Sequence, residues 1–307
     1  MKPKEIHGKI ILVSALNWGY GHVSRCIDLI RILEQSNKII IACSLNQKII
    51  FKQFFPNVIF ENLDEYPFAF GGKGNFVWDL FRNSSQLNKV RNKESEVCNE
   101  IVKKHHVDIV ISDHRFGFRS TQCLSIFMTH QTKLALPFPL SLSNKYFQYL
   151  INKFDIIWLV DDLSIKLSGE LSENINKKKS HYIGLLSRFR TIEFNPNNKI
   201  YNTIIISGPE EYWDHLLSKF QNQKIDYIVG PEKARNNIES IRNINFMSTT
   251  SWTEADEIII NSKKIYAYCG YTSLMDFHFL KCDYHCIPCP GQYEQVYLAK
   301  KSPNNRA

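Results

Sequence analysis

The sequence has no uninterrupted apolar run near the ~20 residues of a membrane-spanning helix, so a helical membrane protein is not expected. Met1 to His7 carries Lys2, Pro3, Lys4 and Glu5 and no apolar core, so no secretory signal is expected either. The expected location is the cytoplasm, with association at the inner face of the cytoplasmic membrane as a further expectation. A disulfide framework is also missing. The eight cysteines are scattered, and Cys43, Cys269 and Cys286 sit inside apolar runs, as reduced core thiols do. No nucleic-acid signature is present, so no nucleic-acid partner is expected. Neither a G-x-G-x-x-G fingerprint nor a P-loop Lys-Ser/Thr occurs, which argues against a dinucleotide or P-loop nucleotide site.

The hydrophobic share, 44%, with 22% charged residues, is that of a folded chain with a real core. Its 307 residues suit two domains of about 100 to 200 residues each. The net charge of +8 fits a phosphorylated small molecule or an anionic membrane face, or reflects a Lys- and Asn-rich composition with no specific role.

Short apolar runs alternate with amphipathic stretches. Lys9–Ser14, Lys38–Cys43, Val58–Phe60, Val107–Ile111 and Asp155–Val160 read as strands, with helices over His22–Gln35 and Asn46–Phe54. Strands apolar along their whole length belong to parallel sheets covered on both faces. After a polar stretch, Arg190–Lys199, the pattern restarts with strands at Tyr201–Ile206, Ile225–Val229, Lys264–Tyr268 and Tyr284–Ile287. The expected fold is α/β, with two Rossmann-like doubly wound domains, 1–190 and 200–307, facing a cleft. Ligands in such folds bind beyond the carboxyl ends of the strands, so the loops there carry the candidates.

The first loop, Asn17 to Arg25, holds Gly19, Gly21, His22 and Arg25. Glycines let the backbone approach a ligand, and the helix N-terminus behind them favours anions and a neutral histidine. His22 then serves as a general base, or simply caps and packs the helix. The second loop, Tyr268 to Asp276, places Gly270, Thr272 and Ser273 at a helix start suited to phosphate oxygens. Asp276, about one turn on, holds a ribose diol or is an ordinary acid of a first turn. The third, Pro288 to Gln295, offers Gln292, Glu294 and Gln295 to sugar hydroxyls, or is a turn with a polar helix start.

His278, Cys282, His285, Cys286 and Cys289 are dense enough to suggest zinc, yet they span a helix end, a turn and a strand, so no metal site is expected. Asp113 with His114, His130 with Gln131, and Gly208 also follow strands and face the expected cleft. The aromatic segment Phe68–Trp78 reads as a packed surface loop, with an acceptor loop or a membrane-touching edge as alternatives.

These motifs, in this order, resemble the GT-B glycosyltransferases related to MurG (glycosyltransferase family 28 type), and the Bacteroidetes-type members most. The resemblance runs from Gly19–Arg25 through Ser112–Arg115, Thr129–Gln131, Tyr182–Phe189 and Ser207–Glu210 to Gly270–Asp276 and Pro290–Gln295, nearly the whole chain. It implies transfer of a sugar from a nucleoside diphosphate donor, a UDP-sugar above others, to a glycan, lipid or small-molecule acceptor. It implies an inverting reaction with neither cofactor nor metal. His22 would stand on the acceptor side, with Asp113 a weaker candidate base. Asp276 would stand where relatives usually have Glu on the ribose, and Gly270, Thr272 and Ser273 at the diphosphate. Gln292 and Gln295 would contact the sugar, and the Met247 backbone the base. Two departures stand out. Tyr268-Cys269-Gly270 replaces the usual Arg-Ser-Gly, and the chain ends at Ala307, so the closing helices are expected to be missing or short. A nucleotide-sugar hydrolase and a non-catalytic nucleotide-binding relative are the competing readings.

Overall fold

The computed structural model describes residues 1–66, 84–173, 176–193, 199–238 and 244–302. The Phe68–Trp78 segment and most of the polar stretch before Lys199 lie outside the described residues. Two compact units divide after Leu186. Ser187, Arg188 and Phe189 therefore pack with the second unit, slightly before the linker expected at 190–199. Residues 19–21 group with that second unit as well.

The first unit is built on seven parallel strands in the order β3-β2-β1-β4-β5-β6-β7. They are β1 (Ile10–Ala15), β2 (Lys38–Cys43), β3 (Ile59–Asn62), β4 (Ile109–Asp113), β5 (Leu124–Thr129), β6 (Ile156–Leu159) and β7 (Ser180–Tyr182). Between them run α1 (Gly21–Leu33), α2 (Leu45–Phe54), α3 (Ser84–His105) and α4 (Asn144–Ile151). Every residue of β4 is buried, and all but the first of β1 and β2, as a strand covered on both faces requires. Ser44 caps α2 by accepting from the Gln47 N–H while the Gln47 side chain returns to the Ser44 N–H.

α3 shows how a polar helix escapes a hydrophobic reading. Its sequence is mostly Asn, Lys, Glu and Ser, and over 88–105 the positions it buries are Glu94, Cys98, Ile101 and Val102. These are spaced i, i+4, i+7, i+8, and Cys98, Ile101 and Val102 join Leu12, Ile40 and Val110 in one apolar cluster. A second cluster joins Phe127 of β5 to Phe147 and Ile151 of α4 and to Ile157 and Leu159 of β6. Each fully buried side chain of this size contributes roughly 1.5–3 kcal/mol.

The second unit has five parallel strands in the order β10-β9-β8-β11-β12. These are β8 (Tyr201–Ile205), β9 (Tyr227–Gly230), β10 (Asn245–Ser248), β11 (Ser262–Tyr268) and β12 (Asp283–Ile287). The helices are α5 (Trp213–Phe220), α6 (Arg235–Ile238), α7 (Trp252–Ile260), α8 (Tyr271–Leu280) and α9 (Tyr293–Lys301). Trp213, Leu216, Leu217 and Phe220 of α5 pack on Ile204, Ile228 and Tyr266. β12 is an edge strand and leaves Asp283 and His285 exposed. Both units are thus the doubly wound α/β sheets expected. The sequence reading missed β7 and β10 as strands, because Ser180–Tyr182 is short and Asn245–Ser248 mixes polar with apolar residues.

Candidate functional site

In the first unit three neighbouring strands end together. Register pairs Ala15 of β1 with Asp113 of β4, and Asp113 with Met128 of β5. The residues at and just beyond these ends therefore converge: His22 and Arg25 on α1, Asp113 as the last residue of β4 with His114 after it, and Thr129 as the last of β5 with His130 after it. Gly19 takes φ 86°, a left-handed conformation that glycine adopts at little cost, and turns the chain from β1 into α1. His22 and Arg25, three residues apart on α1, share one face.

Asp113 is the hub and is fully buried. Arg25 Nε donates to its Oδ2 at 2.8 Å, Arg25 Nη2 contacts its Oδ1, and His22 Nδ1 lies 2.9 Å from Oδ2. Cys26 Sγ stands 3.7 Å from the same oxygen. Burial, the largest single influence, pushes the Asp113 carboxyl up. The Arg25 charge, then His22, then hydrogen bonds from both, together hold it below the usual carboxylate range, so it stays ionised. Arg25, itself 1% exposed, also places Nη1 2.9 Å from His130 Nδ1.

His22 and His114 stay neutral. Burial pushes His22 below its ordinary range, the Asp113 charge opposes this, and Arg25 adds to it. His114 goes well below its range through burial, then the charges of Arg25, His22 and His130. The helix start offered one reason for a neutral His22; burial is the larger one. His22 keeps 15% of its side chain accessible, whereas Asp113, Arg25, His114 and His130 are buried, so His22 is the member of the group that meets solvent. His114 was quoted in a motif but given no role. It has φ 60°, bonds Thr129 Oγ1 at 2.6 Å and lies against both other imidazoles, ring centroids 5.3 and 5.5 Å away. Gln131 is buried, and its N–H donates to Thr129 Oγ1. A further buried pair, Arg115 with Glu94 at 2.5 Å, ties β4 to α3, and Tyr66 bonds the same carboxylate.

In the second unit Gly270 is the N-cap of α8, and Thr272 and Ser273 are its second and third helical residues. The first N–H groups of a helix have no partner within it. Gly270 has φ −75°, and a Cβ there would meet only Ser273 Oγ at 3.7 Å. Glycine is needed there neither for conformation nor for packing. Thr272 Oγ1 donates to the Gly21 carbonyl at 3.2 Å.

Asp276 is buried and bound within the unit. Ser187 Oγ donates to its Oδ1 at 2.6 Å and Arg188 Nη1 to its Oδ2 at 2.9 Å. The same Arg188 donates through Nε to both oxygens of Asp256, at 2.9 and 3.0 Å, and stacks on Phe189 and Trp252. Burial, opposed by Arg188 and Ser187 and aided by Asp256, pushes Asp276 up to about 6. Ser187, Arg188, Asp256 and Trp252 had no assigned role; their only signal was the Ser-Arg-Phe run after Leu186.

Gln292 is the N-cap of α9. Gln295 Oε1 accepts from the Cys289 N–H at 2.9 Å, and its Nε2 donates to Gln292 Oε1 at 2.7 Å. Both amides thus shape the turn around Gly291, which has φ 78°. Glu294 follows in the first turn of α9 and Met247 lies in β10, both half-buried. Gly208, φ 79°, follows β8, and its carbonyl accepts from Trp213 Nε1. Among the described residues, no group of three or more His, Cys, Asp or Glu side chains is arranged to hold a metal ion. Cys286 and Cys269 face each other on β12 and just beyond β11.

No family model matches this sequence, and no curated protein does. Solved structures match its fold. The spinosyn rhamnosyltransferase SpnG aligns with TM-score 0.61 and 9% identity over 95% of this chain and 84% of its own. Arabidopsis thaliana UGT89C1, complexed with UDP-L-rhamnose, aligns with TM-score 0.61 and 10% identity over 96% and 83%. An S. aureus MnaA–UDP complex aligns with TM-score 0.59 and 11% identity over 95% and 87%. The chain therefore has the GT-B glycosyltransferase fold. Identity this low speaks for the fold alone.

Proposed function

We propose that the protein is a nucleotide-sugar glycosyltransferase in which the second unit holds a nucleoside diphosphate-sugar and the first supplies the base. The observation that carries this reading is the buried Asp113 bonded to the accessible His22 beyond the strand ends of a GT-B fold. Asp113 orients the imidazole through Nδ1, and Nε2 takes the proton of an acceptor hydroxyl. The acceptor oxygen bonds to the anomeric carbon on the side opposite the departing diphosphate, giving inversion. The sugar–phosphate bond breaks, and its electron pair leaves with the nucleoside diphosphate.

The start of α8, with Gly270, Thr272 and Ser273, is suited to the diphosphate without a metal, since its N–H groups and dipole favour negative charge. A UDP-sugar is the favoured donor, in line with the nucleotides that UGT89C1 and MnaA carry. Asp276 stands in this reading beside the ribose. The finer MurG-like assignment rests on the motifs at Gly19–Arg25 and Gly270–Asp276.

An acceptor at a lipid surface fits a further feature of the first unit. The turn Leu140–Ser143 runs directly into α4, and Leu142, Tyr146 and Tyr149, spaced i, i+4, i+7, form an exposed stripe. Phe138, 82% exposed, precedes it. Residues 133–154 hold Lys133, Lys145 and Lys153 and no acid, a composition suited to anionic lipid headgroups.

Hydrolysis is the second reading, because the same His22 can deprotonate water. Incubation with a panel of labelled nucleotide-sugars tests both. Donor-dependent labelling of an acceptor supports transfer. Stoichiometric release of free sugar whatever acceptor is present would sink it in favour of hydrolysis. Nucleotide binding without any turnover would overturn both.

A further inference from the structure

Arg25 reads in the sequence as a ligand-facing member of the glycine-histidine motif, but its guanidinium is directed at three protein side chains. We infer that Arg25 is a positioning residue: it fixes the proton of His130 on Nε2 and clamps Asp113 as the anion that orients His22. This rests on the reading of His22 as the base and adds a role for the residue behind it.

The argument is one of hydrogen-bond capacity. A guanidinium has five N–H donors and no acceptor, and it does not deprotonate in a protein. A ring nitrogen that bonds a guanidinium N–H can do so only as the acceptor. At His130 the contact is Nη1 to Nδ1, 2.9 Å, so Nδ1 carries the lone pair and Nε2 the hydrogen. At Asp113 the fork of Nε and Nη2 meets the two carboxylate oxygens, one N–H to each. This fixes the plane of the carboxylate and directs Oδ2 at His22 Nδ1, 2.9 Å away.

His22 Nδ1 is contested. It lies 2.8 Å from Arg25 Nη2 as well as 2.9 Å from Asp113 Oδ2. Its proton can serve Asp113, which leaves Nε2 as a base. Alternatively its lone pair can serve Arg25, which puts the proton on Nε2 and leaves no base there. Asp113 draws His22 toward the protonated form and Arg25 opposes it. Among the described residues, the groups facing His22 are Asp113, Arg25, His130 and His114, with Cys26 against the Asp113 oxygen. Arg25 is the one permanent cation among them, so it adds to burial in disfavouring a charged His22.

His114 shows that such tautomers are set one by one. The Thr129 hydroxyl donates its single hydrogen to the Gln131 carbonyl at 2.6 Å, so at 2.6 Å from His114 Nε2 it can only accept. His114 therefore carries its proton on Nε2, assigned by Thr129 just as that of His130 is assigned by Arg25.

The test is two-bond proton–nitrogen NMR on histidine-labelled full-length protein, with signals assigned by His22→Gln and His130→Gln. In the wild type His130 should show a single neutral form protonated on Nε2. Arg25→Lys keeps the charge but has one nitrogen in place of three, so the pure His130 form should give way to a mixture. Arg25→Gln removes the cation, and the His22 titration midpoint should rise. If Arg25→Gln fails to fold because Asp113 is left unpaired, the double variant Arg25→Gln/Asp113→Asn removes the buried charge, and the His130 mixture should appear there too. Folded variants that keep the wild-type His130 form, or a wild-type His130 protonated on Nδ1, overturn the inference. None of these readouts needs donor or acceptor. Absence of glycosyl transfer with the NMR result intact defeats only the functional reading, and the converse defeats only this one.

Discussion

His22 and Asp113 are 91 residues apart in sequence, and in the structure Nδ1 of one lies 2.9 Å from Oδ2 of the other. The pairing arises because β1 and β4 are adjacent parallel strands, so the helix that follows β1 starts beside the end of β4. Asp113 is buried and ionised, while His22 is neutral and reaches solvent. A neutral imidazole oriented in this way is what the proposed transfer reaction rests on.

His22→Gln should lower kcat by about 10²- to 10⁴-fold with donor KM little changed, since a general base acts in the chemical step and not in donor binding. Steady-state kinetics in saturating acceptor checks this. An equal loss through KM alone would place His22 in donor binding.

The pH profile should carry the mark of burial. A histidine in water is half protonated near pH 6.5. His22 lies below that, chiefly through burial and then Arg25, against the pull of Asp113. Activity should therefore hold as pH falls through 6.5 and decline only further down. An acid limb of kcat/KM centred at or above 6.5 contradicts it.

Asp276 gives a stability signature of its own. Its carboxyl is pushed up to about 6, against about 3.9 in an unfolded chain, so between these values the folded state binds more protons. The contribution is fully present below about pH 4 and is lost as pH rises through 6. Asp276→Asn should flatten this part of the profile. Thermal midpoints of both proteins from pH 4 to 7 measure the difference. The His22 and His114 contributions run the other way in both proteins and cancel in the comparison.

Arg188→Ala should destabilise the fold by about 3–5 kcal/mol, because it leaves Asp256 and Asp276 buried without their shared cation. Chemical denaturation followed by tryptophan fluorescence reads this. A loss below about 1 kcal/mol would show that water replaces the guanidinium.

The glycines should separate by backbone need. Gly19→Ala forces a left-handed alanine at φ 86° and should cost about 1–2 kcal/mol. Gly270→Ala has ordinary φ and free space and should leave the melting point unchanged. Donor titration of Gly270→Ala then reports on the helix end alone, without a folding contribution.

Exchanging Phe138 and Leu142 for serine should abolish co-sedimentation with vesicles containing anionic lipid and leave the melting point within about 1 kcal/mol equivalent, since both side chains are exposed. Equal sedimentation of wild type and variant, or none by the wild type, would remove the lipid surface from the proposal.

Much of the architecture was legible in the chain itself. The apolar runs at Ile10–Val13, Ile39–Ile41 and Val107–Ile111 identify parallel strands, because a strand covered on both faces tolerates few polar residues. Gly19, Gly270 and Gly291 mark the turns that follow strands. α3 was not legible, because its mostly polar sequence, with four buried positions over 88–105, leaves little hydrophobic signal. His114 and Arg188 also stayed silent, since nothing local distinguishes a histidine or arginine that will be buried from one that will not. The sequence by itself determined the strands, the helix starts and the candidate histidine. Only the tertiary structure decided that Arg25 points inward, that Asp113 is ionised at the hub and that Asp276 is held by Ser187 and Arg188. The reason is physical: local spacing sets which face of a helix a residue occupies, but charge state and hydrogen-bond partners depend on groups brought in from strands a hundred residues away.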